Sequence, residues 1–164
     1  MLRSDDPALP ELVSMTVWPT IGATRAGRFV GTLCGVRAGY GFFTLGKLFA
    51  LATIPFSLVL YFWKVLPYVG RRYRLTNRRV VIQKALPPVD RSSIDLDQFD
   101  AIAIEVLPGQ AWLRTGEVLF MRQGREVFRL SGVPRPEVFR QTCLKAQSAL
   151  LAVREVLRRQ TASA

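Results

Sequence analysis

Residues 48–63 read LFALATIPFSLVLYFW, sixteen positions without a charge, bracketed by Lys47 and Lys64. Extended to residues 45–66 the run has 22 positions, and at about 1.5 Å per residue it reaches about 33 Å, enough to cross a hydrocarbon core of about 30 Å. The two lysines can carry their charges to the head groups while their stems stay apolar. Tyr61, Trp63 and Tyr68 gather at the C-terminal end, where amphipathic rings favour the membrane interface. The stretch therefore predicts a transmembrane helix over residues 45–66, with Lys47, Tyr61, Trp63, Lys64 and Tyr68 at the interfaces. Pro55 removes one backbone hydrogen bond in mid-run and predicts a kink. A secretory signal fits poorly, because the run starts far from the N-terminus and no small-residue cleavage site follows.

Upstream, residues 23–43 mix Phe29, Val30, Leu33, Cys34, Val36 and Tyr40 with Arg25, Arg28 and Arg37, the pattern of a helix with one apolar and one basic face. Gly27, Gly31, Gly35 and Gly39 recur at every fourth position. On a helix they form a smooth stripe that lets another helix approach to backbone contact. The plainer reading is a loose, glycine-weakened interfacial segment, each glycine costing about 1 kcal/mol relative to alanine. Residues 1–22 read as a tail.

The whole composition agrees with a membrane setting. The 164 residues carry 23 Lys and Arg against 12 Asp and Glu, a net charge of +11, yet 49% are hydrophobic; a basic nucleic-acid module normally carries its charge on a polar chain. Histidine is absent, which excludes His-ligated zinc, Ser/His/Asp triads and Cys/His dyads. Cys34 and Cys143 stand far apart, outside any metal-ligand spacing, and read as small buried hydrophobes in a reducing compartment. Arginines and lysines are denser after the apolar run than before it, which predicts a cytoplasmic C-terminal domain.

From residue 72 the period changes to two. Residues 73–76, 78–84, 94–97, 102–106, 111–114, 117–122 and 125–130 alternate apolar and polar positions, with breaks at Thr76-Asn77, Pro87-Pro88, Pro108-Gly109, Thr115-Gly116 and Gln123-Gly124. About seven short strands predict a small antiparallel barrel or sandwich. Pro134 and Pro136 then open a long helix whose Phe139, Cys143, Ala146, Leu150, Val153 and Leu157 make one apolar stripe, suited to cap a barrel end. The expected fold class is an α+β membrane protein: a tail (1–22), membrane-associated helices (23–70), a β domain with its capping helix (71–159) and a short tail (160–164).

Tyr73-Arg74-Leu75-Thr76-Asn77-Arg78-Arg79 followed by Val80-Val81-Ile82, then Ile94-Asp95-Leu96, Gly116, and Gly132-Val133-Pro134 before the last helix resembles the membrane-anchored bacterial pleckstrin-homology (PH) family over residues 71–159. The resemblance implies the PH superfold, two orthogonal sheets closed by a C-terminal helix, and a binding or assembly role without catalysis. Ala85 stands where that family often has Gly.

No catalytic constellation is found. Asp95 and Asp97 alternate with Ile94 and Leu96, so they face solvent, and with Asp100 they fall short of a magnesium site. The glycine ladder lacks the strand before it and the Lys-Ser/Thr after it that a phosphate loop needs. No metal, cofactor or catalytic residue is expected. The candidate lipid- or partner-binding surface is the basic band Arg71, Arg72, Arg74, Arg78 and Arg79, just beyond the apolar run, where anionic lipid contributes about 1 kcal/mol per basic residue; the plainer reading is a topology signal and a solvated strand face. The expected partners are a bilayer, anionic lipids, and a membrane protein or a second copy of this chain. An accessory subunit of a larger membrane complex is the alternative. Nucleic acid is disfavoured because aromatic residues are not interleaved with the arginines. The expected location is the cytoplasmic face of a bacterial inner membrane.

Overall fold

Alternating strands and two helical periods sort into the following elements in the computed structural model, which describes residues 10–35, 39–40, 43–65, 70–85 and 87–162. In chain order they are β1 (Val13–Val17), a 3-10 turn (Ile21–Ala23), α1 (Arg25–Cys34), β2 (Gly39–Tyr40), β3 (Phe43–Thr44), α2 (Leu45–Ala52) and α3 (Ile54–Val65). After these come β4 (Arg71–Thr76), β5 (Arg79–Lys84), β6 (Asp90–Asp95), β7 (Ala101–Glu105), β8 (Thr115–Arg122), β9 (Arg125–Pro134) and α4 (Pro136–Ala162). Seven strands build two antiparallel sheets, β1-β4-β5-β6 and β7-β8-β9, and β2 and β3 pair only with each other.

Period-two burial explains the sheets. Tyr73 and Leu75 of β4, Val80 of β5 and Ile94 of β6 point inward from the first sheet, facing Ile102, Val118, Phe120, Leu130 and Val133 of the second. Phe99, Phe120 and Phe128 stack edge to face across this core, with ring centroids 4.9 and 5.8 Å apart. Phe139 and Cys143 of α4 are fully buried against it, with Ala146 and Leu150 packed at its margin, so the helix closes the open side of the sheets with its apolar stripe.

The strand count matches the expectation but the membership does not. Residues 111–114 form turns: Arg114 N donates to Ala111 O (3.2 Å) and Arg114 has φ of 51°. The seventh strand is β1, from the stretch read as a tail, which pairs antiparallel with β4 from Val13↔Thr76 to Val17↔Tyr73. The helical segment is therefore an insertion inside the first hairpin of the barrel, entering after β1 and returning at β4.

Two helical expectations are also corrected. The segment expected as one helix over 23–43 stops at Cys34, with Gly35 as its C-cap, and Gly39 lies in β2. The single helix expected over 45–66 is two, α2 and α3, abutting at Thr53. Pro55, in the first turn of α3, has no N–H to give Leu51 and its ring crowds that carbonyl. Thr53 Oγ1 occupies the break by donating to Phe49 O (2.8 Å). Among the described residues no helix is long and apolar enough to cross a membrane.

Candidate functional site

The insertion covers one end of the barrel, and its attachment is polar and specific. Thr20 N donates to Gly132 O (3.0 Å) at the end of β9. Thr24 caps α1 by accepting from Gly27 N (3.0 Å) while its hydroxyl donates to Ile21 O (2.7 Å). Beneath them lie two buried side chains: Gln110 donates to Gly22 O (3.1 Å) and Glu117 Oε1 (2.6 Å), and Glu117 Oε1 also accepts from Gly132 N (3.1 Å). Gln110 Oε1 accepts from Leu107 N (3.0 Å). This pair joins the insertion to both β8 and β9; neither residue is marked by motif or spacing, since a buried polar pair has the same sequence signature as a surface one.

The glycines of α1 divide by environment. A Cβ on Gly31 would collide with the backbone of Gly109, and one on Gly27 with the carbonyl of Ile21, whereas one on Gly35 would meet only its own helix at 3.3 Å. Gly31 thus packs against a barrel loop and not against the helix that the stripe anticipates. Gly109 itself adopts φ of +83° and lies under the Arg28 carbonyl, a turn conformation suited to glycine.

The five arginines of the basic band do not form one patch. Arg71 pairs with Lys84 at the end of the β4–β5 hairpin nearest the insertion. Arg78 and Arg79 follow the turn at the other end, five residue steps or about 17 Å away. Arg79 holds Glu11 through two bonds of 2.9 and 3.0 Å, and that hydrogen bond holds the Glu11 carboxyl below its ordinary value. Arg72 and Arg74 both donate to Gln83 Oε1 (3.0 and 3.3 Å) on the outer sheet face, and Gln83 in turn donates to Asp90. Thr76 and Asn77, from the same motif, close the hairpin turn and tie it to Leu12. Tyr73 donates to Ser131 O (2.9 Å), joining the two sheets. Most of the motif is thus engaged in holding the barrel. Among the described residues Arg71 makes no ion pair, and it is exposed.

Arg71 instead borders a cleft of about 890 Å³ between the insertion and the barrel end. Val30 and Cys34 of α1 form one wall, Ala50, Ile54, Leu58 and Tyr61 of α2 and α3 another, and Trp18, Ile21, Ala85 and Trp112 the floor and rim. Among the described residues Arg71 is the only charged one that lines it. Neither indole stands out in the sequence, because Trp18 falls in the stretch read as a tail and Trp112 in the stretch read as a strand.

Beside the cleft, α2 and α3 present a wide apolar surface. Leu51, Val59, Phe62 and Trp63 are each more than half exposed (68, 57, 64 and 62%), far more contiguous apolar surface than a solvated helix usually shows. Of the expected interface residues, Lys47 and Tyr61 are exposed on these helices, Lys64 lies in the last turn of α3, and Tyr68 falls outside the described residues. The acidic residues behave as surface partners: Asp97 pairs with Arg154 of α4 at 2.6 Å, and Asp100 accepts from Gln123 N at 2.7 Å.

Searches of curated proteins and of solved structures each found no match. The model of the family described as "Bacterial PH domain" matches residues 28–147, from within α1 through the barrel into α4. With the two sheets, the closing helix and this match, the chain belongs to the bacterial PH domain family.

Proposed function

We propose that this protein is a membrane-anchored PH-like binding and scaffolding module, held at the cytoplasmic face of a bacterial inner membrane by α2 and α3 and acting through lipid and protein contacts without catalysis. The observation that carries the reading is the exposed apolar surface of α2 and α3, contributed by an insertion at one end of the barrel. An apolar area of this kind in water is strongly unfavourable, at about 25 cal/mol per Å². Bilayer burial of α2 and α3 removes it, and places Arg71 and Lys84 at the membrane-facing end of the first sheet. There they contribute electrostatic attraction to anionic head groups.

Flotation of the full chain with liposomes tests this. The protein is expected to rise with vesicles in high salt and alkaline carbonate alike, because apolar burial is insensitive to both. Replacing Leu51 and Phe62 by Glu, two positions that are each more than half exposed, is expected to leave it at the bottom of the gradient. Carbonate release of the unaltered protein overturns the anchor.

The far end of α4 supports a second reading, assembly with another protein. Beyond Leu150 the helix leaves the core and exposes Leu151, Val153, Val156 and Leu157. An assembly role predicts that ending the chain at Leu150 lowers its mass in mild detergent by more than the deleted residues.

A further inference from the structure

We infer that the cleft between α1, α2–α3 and the barrel end holds one acyl chain of an anionic bilayer lipid, with the head group against Arg71. The inference rests on the membrane reading above and assigns it a ligand site. The cleft falls within the roughly 300–1,000 Å³ of typical small-molecule sites, and its lining is mostly apolar, with Thr20, Thr53 and Ser57 as small polar members. Among the described residues its single charge is the Arg71 guanidinium, which no carboxylate there neutralises. Arg71 is exposed at the edge of the cleft, so a neutral apolar ligand would gain nothing from that charge, whereas an anionic head group would make a charge-assisted pair with it.

The surroundings favour a membrane lipid over a ligand arriving from water. One wall belongs to α2 and α3, whose other faces are exposed apolar surface, so a chain entering from the hydrocarbon need not cross water. Trp18, Trp112 and Tyr61 are each about half exposed along the cleft (54, 51 and 57%). Rings with an apolar body and a polar edge settle at the depth where a chain meets its head group.

Quenching of tryptophan by bromine on lipid chains tests the inference in the full chain. Trp63→Phe serves as the parent protein, since Trp63 sits on α3 and would report bulk lipid. Liposomes of one fixed mixture of neutral phosphatidylcholine and anionic phosphatidylglycerol carry the bromine on one lipid or the other. Label on the anionic lipid is expected to quench Trp18 and Trp112 more per labelled molecule. Arg71→Gln is expected to lower that preference about fivefold while flotation persists. Ala50→Phe, which fills the cleft, is expected to abolish it, and Ser57→Phe serves the same purpose if the first variant fails to fold.

Equal quenching from both labels with flotation intact overturns the inference and leaves the anchor standing. A preference that survives both Arg71→Gln and the filled cleft puts the lipid elsewhere on the surface and also overturns it. A brominated free fatty acid that quenches as strongly as the phospholipid overturns the choice of bilayer lipid. Loss of flotation by the parent protein overturns the anchor itself.

Discussion

Tyr73 and Cys143 show how single buried groups set a pH limit on the barrel. Burial pushes the Tyr73 hydroxyl up to about 12 from 10.0 and the Cys143 thiol up to about 12 from 9.0. Both folded-state values are raised, so the stability they protect is fully present below the unfolded values and is lost as pH rises through the window from 9 to 12. The Tyr73 rise corresponds to on the order of 3 kcal/mol and the Cys143 rise to on the order of 4 kcal/mol. Chemical denaturation from neutral to alkaline pH is expected to show a steep loss above pH 9, and Tyr73→Phe should flatten the part above 10. That variant also loses the bond to Ser131 O, so it should start about 1 kcal/mol less stable at neutral pH. Gln110→Ala is a sharper test of the attachment. It removes donors from Glu117 and Gly22 and an acceptor from Leu107 N in a fully buried position, and should cost about 2–3 kcal/mol. Thermal melts should show it as a fall of about 2–4 °C per kcal/mol for a chain of this size.

At the scale of elements, α1 and α4 make opposite predictions about tolerance. Gly31→Ala places a methyl into the Gly109 backbone, so the expected overpacking cost of about 1–3 kcal/mol outweighs the gain of about 1 kcal/mol in helix propensity. Gly35→Ala meets only its own helix end and should change the melting temperature little. If the two variants melt alike, Gly31 is not the contact residue that the geometry makes it. In α4 the hydrophobic residues packed against the core run to Leu150, and beyond them Arg154 forms a part-exposed pair with Asp97. Pairs of this kind contribute about 0.2–1 kcal/mol. Arg154→Ala should therefore lower stability in a chemical-denaturation curve by no more than about 1 kcal/mol, and a larger loss would show that the pair is part of what fixes the helix to the barrel.

For the whole molecule, the division between what was legible in the sequence and what was not follows the range of the interactions. Alternation at Tyr73-Leu75, Val80-Ile82 and Ile94-Leu96, the Gln123-Gly124 turn and the Pro136 helix start are local signals, set by the two- and 3.6-residue periods and by backbone chemistry. From them the sequence alone determined the strands β4, β5 and β7 to β9 in outline, the last two residues of β6 (Asp90–Asp95), the closing helix, the PH-like class and the apolar character of residues 48–63. Tertiary structure alone decided that Val13–Val17 is a sheet strand, because β1 pairs with a partner more than fifty residues away, beyond the whole helical insertion. It also decided that the arginine band is split, since a hairpin turn sends Arg71 and Arg79 to opposite ends of one sheet. The cleft belongs wholly to this second kind: Trp18, Val30, Leu58, Arg71 and Trp112 meet only because the insertion leaves and re-enters the barrel through neighbouring strands, a closure that no local period encodes.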